Sequence, residues 1–111
     1  NIQFLAEDIA SNPVPAQSCN TVICFSCFPH FQDKPAALAA MARALKPHGF
    51  LAVAHFDSAH AINNRHAKHP AVKHDRLPDD NTMKQLVADA GFRVLSFTDE
   101  DGFYLLAAEK Q

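Results

Sequence analysis

The sequence predicts an α/β domain with one βαβ unit and a carboxy-terminal antiparallel hairpin, and three observations carry that expectation. First, two continuous apolar runs, Thr21-Val-Ile-Cys-Phe25 and Phe50-Leu-Ala-Val-Ala-His55, have the make-up of strands buried on both faces, as in a parallel sheet. Second, Ala37, Leu38, Met41, Ala42 and Leu45 recur between them at three- and four-residue spacings, an apolar stripe for a helix lying on that sheet. Third, predicted strands over 92–98 and 103–108 flank Asp101-Gly102, a dipeptide that readily takes the positive φ angles of a tight hairpin turn. At 111 residues, 48% hydrophobic and 20% charged, the chain suits a single domain around one core.

Taken in order, Ile2, Phe4 and Leu5 precede Glu7 and Asp8 and suit a short strand ending near Glu7. Pro13 and Pro15 then mark a surface connection. The run over 21–25 is expected near the sheet centre. Asp33 can cap the next helix, with Pro35 tolerated in its first turn because the missing amide would have been unpaired there. Lys34, Arg43 and Lys46 form its solvated face. Lys46 precedes Pro47, so the helix is expected to stop there, with Gly49 reversing the chain into the strand over 50–55. A polar stretch over 59–78 reads as a helix over 59–67 followed by loop. Asp79 or Asp80 then starts a helix whose buried face is Met83, Leu86, Val87 and Ala90, closed by Gly91. The phenylalanines, mostly on predicted core faces, read as packing rather than as a ligand cage.

Composition excludes several classes of partner. A formal charge of -2 with scattered Lys and Arg argues against nucleic acid, and no apolar run is long enough to cross a bilayer. Cys19, Cys24 and Cys27 are an odd number in one segment, which fits a reducing cytoplasm better than a secreted disulfide scaffold. The first ten residues lack a basic n-region, and the absence of an initiating Met suggests a trimmed or partial product. Cys24 and Cys27 form a single C-x-x-C with no second pair, and Cys24 falls within a strand, so neither redox nor zinc chemistry is assigned. His55, His60, His66, His69 and His74 follow one another with no defined zinc spacing; they admit a metal site, an acceptor pocket or plain solvation, and no metal ligand is assigned.

Four blocks together, Leu-Ala-Glu-Asp8, Val22-Ile-Cys-Phe-Ser-Cys-Phe-Pro-His-Phe31, Met41-Ala-Arg-Ala-Leu-Lys-Pro-His-Gly49 and Ala90-Gly-Phe92, carry a family resemblance. The chain resembles class I S-adenosylmethionine-dependent methyltransferases of the small-molecule type 11 kind, in the later part of the family domain. The resemblance implies a partial Rossmann-like sheet as one truncated domain, S-adenosylmethionine as cofactor, and a small-molecule methyl acceptor. The Arg-Ala-Leu-Lys-Pro-x-Gly stretch is the most telling block; the family usually has Gly where His48 stands. The family's Gly-rich loop is missing: the only glycines are Gly49, Gly91 and Gly102, and no G-x-G occurs.

By resemblance, Asp8 would accept from the adenine amino group and the Ile9 amide would face a ring nitrogen. Asp8 read by itself is equally a strand-ending or capping acid. Phe25, Ser26, Cys27 and His30 would line the edge where methionine and substrate meet, at the carboxyl ends of strands. His55, His66 and His74 would act on the acceptor as proton-accepting imidazoles, with Asn63 and Asp75 binding it. Without the glycine loop, no activity is expected of this chain alone. The competing expectation is a non-catalytic dimeric scaffold, or a ligand- or metal-binding module using the histidine segment. Losing the strands that would separate the one bearing Leu5 from the one bearing Ile23 leaves open edges, hence the expectation of a homodimer or a rearranged sheet.

Overall fold

The computed structural model describes residues 15–25, 28–69 and 76–111. Its elements are β1 (Cys19–Phe25), a 3-10 turn (Phe28–His30), α1 (Lys34–Ala44), β2 (Leu45–His55), α2 (Ala59–Ala67), α3 (Asp80–Asp89), β3 (Phe92–Glu100) and β4 (Phe103–Lys110). The four strands form one sheet in the order β1-β2-β4-β3. β1 and β2 run parallel, joined through α1, while β4 is antiparallel to both β2 and β3. The expected α/β fold, with its βαβ unit and terminal hairpin, is therefore present. The expected strand near the amino terminus lies outside the described residues.

Each helix begins where a side-chain oxygen replaces a missing backbone acceptor. Asp33 accepts from the Ala36 amide at 2.9 Å, Ser58 from Ala61 at 3.1 Å and Asp79 from Thr82 at 2.8 Å. The bond from the Thr82 amide stabilises the ionised form of Asp79 and holds its carboxyl below the usual carboxylate range. α1 buries Ala37, Leu38 and Met41, α2 buries Ile62, and α3 buries Met83 and Val87. These pack in one cluster with Cys24 of β1, Leu51 and Val53 of β2, Phe92 of β3 and Leu106 of β4. Because strand side chains alternate, that cluster is one face of the sheet. The hairpin turns at Gly102 with φ 78, and α3 ends at Gly91 with φ 98, both conformations that favour glycine.

The structure corrects several expectations. β1 is an edge strand among the described residues, not a central one, and only Cys24 in it is buried; Ile23 is 69% and Phe25 46% exposed. The apolar run predicted burial on both faces, but the described helices occupy only the Cys24 face. The phenylalanines divide accordingly: Phe28 and Phe92 are core, whereas Phe25, Phe50, Phe56 and Phe103 are exposed. Lys34 is not merely solvated, since its ammonium donates to the Pro29 and Phe31 carbonyls.

The α1 to β2 junction also differs from expectation. α1 ends at Ala44, and Leu45 is already extended and pairs with Cys19. The next pairing is Thr21 with Phe50, so residues 46–49 form an excursion within β2. His48 makes the left-handed turn there, with φ 65, while Gly49 serves close approach. A Cβ on Gly49 would sit 2.9 Å from the Asn20 and Lys46 carbonyl oxygens.

Candidate functional site

Parallel β1 and β2 deliver their last residues, Phe25 and His55, to the same end of the sheet. Chain crossing from these ends to the helices leaves side chains free of the ladder, which is why ligands gather there in open α/β sheets. The 3-10 turn places His30 at this end, and α2 places His66 opposite it, with ring centroids 5.1 Å apart. His55 lies below them, 5% exposed. Its ring meets Tyr104 edge-to-face at 5.6 Å because β2 and β4 pair these two residues directly. Tyr104 also packs on Phe97 at 5.3 Å.

Two buried polar atoms stand out in this cluster. Among the described residues, His55 Nε2 and the Tyr104 hydroxyl have no hydrogen-bond partner. Burial without a partner is costly for either atom, so such pairs mark places where a ligand or water completes the bonding. Burial lowers the His55 pKa from its ordinary value, and nearby His66 and His30 lower it further by repelling a second positive charge. Burial raises the Tyr104 pKa, reinforced by the carboxylates of Asp99 and Asp80. At neutral pH the cluster thus holds a neutral imidazole able to accept a proton and a phenol able to donate a hydrogen bond.

Of the residues singled out from sequence, the structure brings His30, His55 and His66 together. Phe25 reaches the same sheet end but on the other face, since it pairs with Ala54 rather than His55; its ring contacts Phe56 at 4.9 Å. Asn63 is otherwise occupied: its side-chain amide donates to the Leu77 carbonyl at 3.0 Å and its oxygen accepts from the Leu77 amide at 2.7 Å. This pair of hydrogen bonds ties α2 to the segment leading into α3, beside an open cleft that Asn63, Leu77, Asp79 and Asp99 help line. Asp8, Ile9, Ser26, Cys27, His74 and Asp75 lie outside the described residues. His69 falls beyond the end of α2, so it does not share a helix face with His66. Among the described residues, no group of three or more His, Cys, Asp or Glu side chains could hold a metal ion.

Sequence reasoning missed Tyr104 and Asp99. Asp99 Oδ1 accepts from the Ala59 amide at 2.9 Å and so fixes the start of α2 from across the sheet. Tyr104 is the chain's only tyrosine and begins a strand after a tight turn. Only the register of that hairpin against β2 discloses that it faces His55.

With this geometry in place, likeness to known proteins is informative. A family model described as a methyltransferase domain matches residues 1–97. The chain belongs to the methyltransferase domain family. This methyltransferase domain is similar to a solved S-adenosylmethionine-dependent methyltransferase from Thermotoga maritima, described as a possible histamine N-methyltransferase. That match has a TM-score of 0.72 and 19% identity, and covers 89% of this chain and 59% of the other. An S-adenosylmethionine-dependent methyltransferase from Aquifex aeolicus matches at TM-score 0.65 and 19% identity, over 89% of this chain and 50% of that one. The [4+2]-cyclase SpnF matches at TM-score 0.73 and 17% identity, over 96% of this chain and 55% of its own. This methyltransferase domain therefore spans between half and three fifths of those proteins. No curated protein matches it. At such identities the likeness is one of fold, and a cyclase among the matches shows that the fold alone does not name the chemistry. Among the described residues, no helix of this methyltransferase domain is long and apolar enough to cross a membrane.

Proposed function

We propose that this chain carries the acceptor side of a methyltransferase acting on a small molecule with S-adenosylmethionine, and that it does not turn over by itself. The observation that supports this reading most directly is the convergence of His30, His55 and His66 beside Tyr104, where β1 and β2 end. When bound, S-adenosylmethionine supplies an electrophilic methyl group. The chain's own part is to position an acceptor and receive its proton. His55, kept neutral by burial, is suited to that proton, with His66 and His74 as further imidazoles on the acceptor side. Tyr104 donates a hydrogen bond that orients the acceptor against His55. Asp75 contacts the acceptor, and Asn63 acts as a positioning residue by holding Leu77.

The described residues fit the cofactor only in part. His30 lies beside His66 on the acceptor side, whereas Phe25 reaches that sheet end on the other face; Asp8, Ile9, Ser26 and Cys27 are proposed to complete the contact with the donor. No glycine cradle for the amino-acid tail is present, however. Gly49 is filled against Asn20 and Lys46, and Gly91 and Gly102 close turns. Donor binding should accordingly be weaker than about 1 mM, less than about 4 kcal/mol of binding free energy.

Calorimetric titration with S-adenosylmethionine and with its demethylated product tests this, paired with imidazole-resolved NMR at millimolar ligand. The expected result is no saturation by heat, with shifts confined to His30, His55, His66 and His74. Tight saturable binding, or shifts only at histidines away from these four, would overturn the proposal.

A further inference from the structure

Ala59, Ile62, Asn63 and His66 recur along α2 at spacings of three and four residues, which places them on one stripe of the helix. Each meets a different part of the molecule. The Ala59 amide donates to Asp99 Oδ1 of β3 at 2.9 Å, and its side chain packs against the core. Ile62 is buried within the core cluster. Asn63 exchanges two hydrogen bonds with Leu77, and the His66 ring lies 5.1 Å from that of His30. The stripe is therefore the docking face of α2. His66 stands at its far end, about 10 Å along the axis from Ala59.

We propose that Asp99 is a positioning residue for the acceptor side: by holding the start of α2 it sets the rotation of that helix and keeps His66 against His30. This deepens the function proposed above and rests on it. The local cap cannot set that rotation. Ser58 Oγ accepts from the Ala61 amide and the Ser58 carbonyl from that of Ile62, bonds that close the first turn without deciding which way it faces. Asp99 lies 40 residues from Ala59, on a strand held in the sheet by β4, so its bond fixes the turn relative to the sheet. A carboxylate at a helix start is also favoured by the aligned amide dipoles. Asn63 adds a second tie, but to the segment entering α3 rather than to the sheet. Asp99 further pairs directly with Tyr104 across β3 and β4, and Tyr104 in turn meets the His55 ring. After burial, the Asp99 carboxylate is the main influence raising the Tyr104 pKa, which keeps the phenol a hydrogen-bond donor. One side chain thus stands in fixed relation to both flanks of the cluster, the helix that carries His66 and the strand that carries Tyr104.

Proton NMR on the whole chain without ligand tests this, through the nuclear Overhauser effect between the His30 and His66 rings and the exchange rate of the Ala59 amide. Asp99→Ala should abolish the ring-to-ring effect and speed exchange at Ala59 at least about tenfold. Asp99→Asn keeps an oxygen acceptor for the amide and should preserve both signals. Val87→Ala, which loosens the core from α3 without touching Asp99, should leave the ring-to-ring effect in place. Should Asp99→Ala not fold, Asp99→Ser, with a side chain too short to span to α2, is measured in its stead. A ring-to-ring effect unchanged on truncating Asp99, or lost equally in Val87→Ala, would overturn the inference. So would a failure of Asp99→Asn to preserve it, or its absence from the wild-type chain. Failure of the acceptor reading shows separately, in the titrations with S-adenosylmethionine, because no ligand enters these measurements.

Discussion

His48 holds a left-handed turn with φ 65, at the position where the resembling family has glycine. An L-residue pays about 1 to 2 kcal/mol for that conformation, whereas glycine costs about 0.4 to 1 kcal/mol through its freer unfolded chain. The first effect is the larger, so His48→Gly should stabilise the fold by roughly 0.5 to 1 kcal/mol, seen as a rise of several degrees in Tm. His55 makes a second prediction at this scale. Its folded-state pKa is lowered, so the unfolded chain binds protons more readily. The contribution of the neutral buried ring is fully present above the unfolded pKa near 6.5, and it is lost as pH falls from there to the lower folded value. Urea unfolding at a series of pH values should therefore show stability falling on acidification through that window, with His55→Gln removing much of the slope. A slope unchanged by that substitution would mean that another group governs it. None of this was visible in the position of His55 along the sequence, because a histidine ending a strand reads the same whether or not a tyrosine faces it.

At the scale of elements, the Asn63 clamp joins α2 to the backbone of Leu77 through two hydrogen bonds. Asn63→Ala leaves a backbone donor and acceptor without partners beside the buried Leu77 side chain, and should cost about 2 kcal/mol in chemical denaturation. Asn63→Asp should recover only part, since a carboxylate accepts from the Leu77 amide but cannot donate to its carbonyl. Helix starts were legible in the sequence because capping is local: Asp33, Ser58 and Asp79 each bond an amide three residues on. The extent of α2 and the hairpin turn at Gly102 were legible for the same reason. The β2 excursion at residues 46–49 was not. There Asn20 comes close to Gly49, an approach between residues far apart in the chain.

At the scale of the molecule, the helices cover one face of a sheet whose other face is partly apolar. Membership of the methyltransferase domain family and the α/β order of elements were determined by the sequence itself, because hydrophobic periodicity, caps and turn residues act over a few neighbours. Tertiary structure alone decided that β1 lies at the edge of the described sheet, that Tyr104 faces His55, and that three of the histidines form one cluster. Those outcomes depend on strand order, register and which face the helices cover, and such long-range choices leave no periodic mark on the residues that they bring together.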